Sequence, residues 1–263
     1  MFDRYEPRLS SINQFVPKVK MKPRFSLVTI NKNNREGLQK TISSILALNA
    51  WPICELVIVD GNSNDGSLEL ARQMLRAETG VSLLREKKPG IFTAMNEGLS
   101  ATRGEWIVFM NAGDCFASPD SLCGFNPSTE TQIVYGNASN HEGLIMKYSA
   151  SIWPWAGMPT SHQAMLFKGE FIRSRPYKTR YHLSADLEWI LWSVSKRTPF
   201  EPWDKLVASH DKPGISFFKL TDRVIQCYLI ALRYFLLDRN VHHYYIRKLF
   251  WAMREQGRRK DLA

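Results

Sequence analysis

The sequence predicts an α/β fold organised around a mostly parallel sheet, and three observations carry that reading. Short runs of β-branched and apolar residues alternate with longer segments of helical periodicity. The joints between them are rich in Gly, Asn, Asp and Ser, which suit turns. Several of the apolar runs end in Asn or Asp. A repeated strand–helix–strand order implies parallel strands joined by right-handed crossovers. Such sheets take their ligands at the carboxyl ends of the strands.

The elements follow in order. Phe25–Ile30 (FSLVTI) reads as a buried strand. NNREGLQKTISSILAL reads as a helix, with Asn33 and Glu36 as a capping pair and Leu38, Ile42, Ile45 and Leu46 as its apolar stripe. Cys54–Asp60 (CELVIVD) is a second strand, and the turn GNSNDGS leads into a helix over Leu68–Ala77. VSLLRE is a third strand, IFTAMNEGLSAT a helix entered through Gly90, and Trp106–Met110 a fourth strand. That strand runs out into Asn111-Ala112-Gly113-Asp114. Asn31, Asp60, Asn111 and Asp114 thus fall at three strand ends, and one shared site explains them better than three separate turns.

Beyond Asp114 the pattern weakens. A strand is expected near Ile133–Tyr135, an aromatic, Pro-containing stretch through IWPWAG, and another strand at Ala164–Phe167. Ser184 opens a helix with Leu187, Ile190, Leu191 and Val194 on one side. No internal repeat or low-complexity linker interrupts the chain. Residues 1–23 therefore read as an N-terminal extension, 24–214 as one domain and 215–263 as a basic helical tail.

Composition narrows the function. The 263 residues carry a formal charge of +10, which points to an anionic partner: nucleic acid, a membrane surface or a phosphorylated substrate. Lys18, Lys20, Lys22 and Arg24 cluster ahead of the first strand, and from Ile215 onward ten Lys or Arg stand against four Asp or Glu. Nucleic-acid binding accounts for the charge but not for carboxylates at strand ends, so no nucleic-acid partner is expected. The four cysteines form no C-x-x-C and no zinc-like spacing, and read as reduced thiols of a cytosolic protein. The N-terminus lacks the apolar core of a signal peptide. The run Val224–Leu237 is interrupted by Gln226 and Arg233 and falls short of the ~20 residues of a membrane span. After the first strand NKNNREG replaces the glycine-rich loops of nucleotidyltransferases and NAD-dependent oxidoreductases.

The ordered set SLVTINKNN, LVIVDGNSNDGS, KPGIFTAMNEGLSATRGEWIVFMNAGD, TSHQAMLF, LSADLEWIL and KPGIS resembles family 2 glycosyltransferases, in particular the branch that makes colanic acid, other exopolysaccharides and O-antigen. The resemblance spans about residues 24–216 and implies the GT-A nucleotide-sugar-binding fold. It implies an inverting enzyme that moves one sugar from a nucleotide-sugar donor to a saccharide acceptor. It also assigns roles. Asp60 contacts the nucleobase or ribose, Thr29 and Asn31 line the nucleotide pocket, and Asn96 lies near the donor. The family's usual D-x-D is replaced here by N-x-G-D. Asp114 is then the metal carboxylate, and Asn111 offers an amide oxygen or binds the sugar or ribose. A single carboxylate suits Mn²⁺ or Mg²⁺ delivered largely by the donor diphosphate. His162 and Gln163 match an HQ motif beside the acceptor or donor phosphates.

Asp186 matches the catalytic base, which takes the acceptor hydroxyl proton; Glu188 is the runner-up. Asp65 suits either the site or a helix cap. Trp153 and Trp155 offer aromatic faces for a sugar ring or for packing. The tail reads as two helices broken near Asp238–Asn240. The first carries Val224, Leu229, Leu232 and Leu236. The second has Val241, Tyr245, Leu249 and Met253 on one stripe, with Arg247, Lys248, Arg254, Arg258, Arg259 and Lys260 largely elsewhere. Such helices suit an anionic membrane surface. The expected setting is therefore cytoplasmic, peripheral to the inner face of the plasma membrane, with an acceptor carried on a polyprenyl diphosphate. Neither the Q-x-x-R-W motif nor the spanning helices of processive synthases is present, which favours transfer of a single sugar. The alternative is a catalytically impaired homologue that serves as a binding subunit.

Overall fold

In the computed structural model, which describes residues 22–140, 142–146, 154–210 and 219–260, the apolar runs assemble into one nine-stranded sheet. Strands β1 (Phe25–Asn31), β2 (Cys54–Asp60), β3 (Val81–Arg85) and β4 (Trp106–Phe109) are mutually parallel in the order β3-β2-β1-β4. The residues of β1, β2 and β4 are buried on both faces, as a parallel sheet covered by helices requires, whereas edge strand β3 is only partly buried. Helix α1 (Arg35–Leu46) buries Leu38, Ile42 and Ile45 against the face bearing Phe25, Leu27, Leu56 and Ile58. Helix α2 (Ser67–Met74) adds Ala71 to that face, and Leu75 follows it there. Helix α3 (Ile91–Ser100) covers the other face with Phe92, Met95 and Leu99. Gly98 of α3 lies so close to β1 that a Cβ there would come 2.6 Å from Val28 Cγ1.

Past β4 the sheet is mixed. β5 (Asp114–Phe116), β6 (Ile133–Ser139), β7 (Ile145–Met146), β8 (Met165–Lys168) and β9 (Phe200–His210) continue it in the order β4-β8-β6-β9-β5, with β7 on β6. β8 runs antiparallel to β4 and β6, β6 and β9 are parallel, and β5 is antiparallel to β9. Short helix α4 (Gly169–Arg173) and helix α5 (Ala185–Ser195) pack beside this half. Helices α6 (Leu220–Phe235) and α7 (Arg239–Lys260) form a hairpin on α5, sharing one apolar cluster with Leu187 and Leu191. The pair is antiparallel: Thr221 N donates to Gln256 Oε1 (2.7 Å) near one end, and Tyr228 stacks on Tyr245 toward the other.

Several expectations are corrected. The cap of α1 is Asn34, whose Oδ1 accepts from Gly37 N at 3.1 Å; Asn33 has φ +48° and lies outside the helix. α2 ends at Met74 rather than Ala77. β5, β7 and β9 were not expected. Of the apolar stripe expected on the second tail helix, Val241 and Tyr245 are core residues, whereas Met253 is exposed. Lys18, Lys20, Trp153, residues 212–216 and the side chains of Arg258, Arg259 and Lys260 lie outside the described residues. All four cysteines are free thiols, and among the described residues no helix is long and apolar enough to cross a membrane.

Candidate active site

Parallel register brings Asn31 and Asp60 side by side at the carboxyl edge of the sheet. Asn31 Nδ2 donates to Asp60 Oδ1 (3.0 Å) and to Ser63 Oγ (3.2 Å), and Ser63 N donates to Asp60 Oδ2 (2.8 Å). Asp60 is 1 % exposed, so these donors hold a desolvated carboxylate in one rotamer. The two loops at this edge are laced together, with Ser63 Oγ also accepting from Asn33 N and Asn33 Oδ1 accepting from Asn64 N. Asp65 accepts from Arg35 N (2.9 Å) and Ser67 N (3.1 Å), so it satisfies the first backbone N–H of both α1 and α2. Hydroxyl donation from Ser67, then its backbone bonds, hold the Asp65 carboxyl below the usual range against weaker desolvation. That is the structural role of the two expected for it.

The turn after β4 meets this edge directly, because Ala112 N bonds Ile30 O at 3.0 Å. Gly113 there has φ +105°, a conformation that disfavours any side chain. Helix α1 pins the turn from below. Thr41 Oγ1 accepts from Gly113 N (3.0 Å) and donates to Asp114 O (2.7 Å), while Asn34 Nδ2 donates to Ala112 O (2.9 Å). Asp114 is presented on this platform. Its Oδ2 accepts from Gln163 Nε2 at 2.6 Å, and its Oδ1 lies 2.8 Å from His210 Nδ1, its cross-strand partner on β9. Thr29 Oγ1, Asn31 Oδ1 and Asn111 Oδ1 are buried polar atoms at this edge without a hydrogen-bond partner among the described residues. Such groups are costly unless something binds them.

Behind the turn stands an aromatic block. His162 stacks on Phe109 (5.0 Å between centroids), and its Nε2 lies 2.7 Å from the Tyr177 hydroxyl. Burial pushes the His162 pKa down to about 4, so the ring is neutral at physiological pH. Asn96 exchanges two hydrogen bonds with the backbone of Tyr177, 2.9 Å from its Nδ2 and 2.8 Å to its Oδ1. Expected beside the substrate, His162 and Asn96 instead spend these groups on Tyr177. His162 aligns the chain that delivers Gln163 to Asp114. Trp155 is likewise a packing residue: it is buried among α5, α6 and α7, its carbonyl accepting from Tyr245 Oη at 2.6 Å.

Asp186 enters from the N-terminus of α5. Burial lifts its pKa to about 6, opposed by the backbone N–H groups of Leu187 and Asp186 itself and by the charge of Arg223. Its Oδ1 accepts from Leu187 N at 2.8 Å. It stands near enough to Tyr177 that, after burial, its charge is the next cause of the raised phenol pKa. Hydrogen bonds run from Asp114 to Gln163 and from its chain neighbour His162 to Tyr177, and the Asp186 charge is felt at that phenol. Glu188 is on the other side of the helix and 0 % exposed. Arg175 (2.8 Å), Lys178 (2.7 Å) and Tyr234 (2.6 Å) occupy its oxygens. Their hydrogen bonds outweigh the cost of burial and hold its pKa below the usual range. It is a structural anchor, not a base.

The chain thus brings Thr29, Asn31, Asp60, Asn111, Asp114 and Gln163 to one edge, with the Asp186 charge felt at Tyr177 behind it. Thr41, Asn34, Ser63 and His210 were missed. His210 carried a signal, as a polar residue closing an apolar run, but Pro202 and the charges of FEPWDKLVASH mask that strand. Among the described residues no group of three His, Cys, Asp or Glu gathers as a metal cage. Asp114 beside His210, with an unpartnered amide oxygen on Asn111, fits a hard cation that brings most of its ligands on a diphosphate.

Comparison with known proteins agrees. The Glycosyl transferase family 2 profile matches residues 26–179, more than half of the chain. A PGL/p-HBAD biosynthesis glycosyltransferase of Mycobacterium bovis (strain BCG / Pasteur 1173P2) is 28% identical over 182 residues, 64% of this chain and 68% of its own. The putative teichuronic acid biosynthesis glycosyltransferase TuaG of Bacillus subtilis (strain 168) is 28% identical over 94 residues, 35% of this chain and 37% of its own. Among solved structures, S. aureus TarS 1-349 superposes with a TM-score of 0.67 at 12% identity, over 89% of this chain and 74% of that one. The mannosyltransferase PcManGT of Pyrobaculum calidifontis, in complex with GDP-Man and Mn²⁺, gives a TM-score of 0.65 at 16% identity over the same shares, 89% and 74%. The sheet, its flanking helices and the family match agree: the fold is GT-A, and the chain belongs to glycosyl transferase family 2.

Proposed function

We propose that this glycosyltransferase transfers one sugar, with inversion at the anomeric carbon, from a nucleotide-sugar donor to a saccharide acceptor on a polyprenyl-diphosphate lipid, in the assembly of a bacterial surface polysaccharide. The observation that carries this reading is the link between two unlike carboxylates. Asp114 sits on a pinned turn at the sheet edge and bonds Gln163, whose chain neighbour His162 bonds Tyr177; Asp186, with a raised pKa, acts on that same phenol through its charge. Residues 24–214 form the catalytic domain in this reading, and 215–263 are appended to it.

Thr29, Asn31 and Asp60 take the nucleoside, and the unpartnered atoms of Thr29 and Asn31 supply its polar contacts. Asn111 takes the ribose or the donor sugar. Asp114 and His210 would hold Mn²⁺ or Mg²⁺, which would supply positive charge beside the diphosphate. Gln163 keeps Asp114 oriented, and Asn96 and His162 position Tyr177 and the Gln163 segment behind it. Asp186 accepts the acceptor hydroxyl proton as that oxygen bonds to the anomeric carbon. The bond from that carbon to the diphosphate oxygen breaks, and its electron pair leaves with the nucleotide. An aspartate whose pKa is raised to about 6 is a stronger base than an ordinary one and is still ionised at neutral pH. The solved neighbours that hold UDP-GlcNAc, or GDP-Man with Mn²⁺, support the donor class.

The test is nucleotide release from a panel of UDP- and GDP-sugars, with and without Mn²⁺, in the presence of lipid-linked and free saccharides. One donor turned over in a Mn²⁺-dependent way is the expected result. Tight donor binding without turnover under any condition would establish the impaired binding subunit instead.

A further inference from the structure

Large apolar side chains exposed to solvent are concentrated in one place among the described residues: the α6–α7 hairpin. On α6, Ile225, Leu229 and Leu236 recur at helical spacing, and Leu229 and Leu236 are 59% and 61% exposed. On α7, Ile246, Phe250 and Met253 do the same, with Phe250 66% exposed. Tyr228 and His242, bonded at 2.8 Å, mark the seam between the helices. By helical periodicity both stripes lie just outside that seam on its solvent side, so they make one face. Opposite faces of the same helices are fully committed to the core, where Val224, Ile230, Val241 and Tyr245 pack with Leu187 and Leu191.

The fringe of the exposed face is basic. Arg233, Arg239, Arg247 and Arg254 are exposed on the hairpin, and Trp251 is 49% exposed beside them. A second copy of the chain stacked on this face would bring these like charges together. A purely apolar partner would leave them unpaired. An anionic lipid surface matches both components, with acyl chains for the stripes, phosphates for the guanidinium groups, and an interfacial position for Trp251.

We infer that the seam face of the α6–α7 hairpin lies in the interface of an anionic bilayer and thereby sets the orientation of the catalytic base toward the membrane. This rests on the lipid-linked acceptor proposed above and names the surface that reaches it. The coupling is direct. Gln226 Oε1 accepts from Leu183 N at 2.9 Å, and Cys227 Sγ lies 3.3 Å from Ser184 Oγ, so α6 grips the segment that enters α5 at Asp186. Because the hairpin also completes the core around Leu187 and Leu191, deleting it would unfold that region, and point substitutions on the exposed face are the sound probe.

The experiment is co-sedimentation of the full chain with phosphatidylcholine vesicles, with and without phosphatidylglycerol, at low and high salt. Donor hydrolysis in solution and sedimentation equilibrium are run alongside. The wild type binds only the anionic vesicles, and salt weakens but does not abolish binding. The double variant Leu229→Ser/Phe250→Ser loses about tenfold or more in vesicle affinity, with donor hydrolysis in solution unchanged. Equal vesicle binding by variant and wild type, or no binding of the wild type at low salt, overturns the inference. So does a wild-type dimer that the variant dissociates. Vesicle binding with no turnover of any UDP- or GDP-sugar, saccharide acceptors included, preserves the docking face and overturns the transferase reading alone.

Discussion

The two faces of α5 hold carboxylates in opposite ways. Glu188 is ringed by Arg175, Lys178 and Tyr234, and its charge is fixed for good. Asp186, two residues earlier, receives backbone N–H donation but, among the described residues, no side-chain hydrogen bond, and burial raises its pKa to about 6. A helical offset of two residues sends the side chains to opposite sides. Many donors make a charge permanent and therefore structural. Few donors and a dry surrounding make a group that can gain and lose a proton near neutral pH.

Exchanging the environments tests this contrast, and the largest effect is on chemistry. Asp186→Asn is expected to cut the transfer rate by about 10²–10⁴ while donor affinity stays put, since the amide keeps the shape but cannot take the proton. Glu188→Ala should leave donor chemistry recognisable but destabilise the fold by about 3–5 kcal/mol, because it strands two buried-side cations; urea unfolding reads this out. If Glu188→Ala abolished transfer at unchanged stability, the roles would be reversed.

Protonation sharpens the same comparison. Below about pH 6 Asp186 is protonated and cannot act as base, so kcat should rise with pH to a plateau above that value. Stability runs the other way. A carboxyl whose folded pKa exceeds its unfolded value of about 3.9 binds its proton more tightly when folded. Its contribution is therefore greatest at low pH and is lost as pH rises toward 6. Asp186→Asn should accordingly raise the thermal midpoint at pH 7 while removing activity, an outcome no purely structural aspartate would give. The smallest effect belongs to the platform. Thr41→Val leaves Gly113 N–H and Asp114 C=O without their hydroxyl partner at a cost of about 1–3 kcal/mol, read as weaker donor binding, and Thr41→Ser restores it.

How much of this could be read from the chain depended on how local the interactions are. β1 to β4 were legible because each strand and its helix carry their own periodicity, and Asn31 and Asp60 fall in register once those strands are parallel. The β5–β9 half was not. β5 is three residues long, and β9 contains Pro202 and four charged or polar positions before His210. Its pairing with β6 passes through two register shifts, which no local pattern announces. His210 reaches Asp114 only through that pairing, 96 residues along the chain. Thr41 was hidden for a different reason. A threonine inside an amphipathic helix gives no sign that its hydroxyl serves a loop 72 residues away. The resemblance located Asp186 and Asp114, but the set of side-chain donors, which separates Asp186 from Glu188, is a property of the folded chain alone.

The central claim is that one carboxylate binds and the other moves a proton. Calorimetric titration of wild type, Asp114→Asn and Asp186→Asn with the donor's nucleoside diphosphate in Mn²⁺ tests it most directly. Asp186→Asn should bind as the wild type does, and Asp114→Asn should lose binding together with its dependence on Mn²⁺. Unchanged, Mn²⁺-dependent binding by Asp114→Asn, or loss of binding by Asp186→Asn, would contradict it.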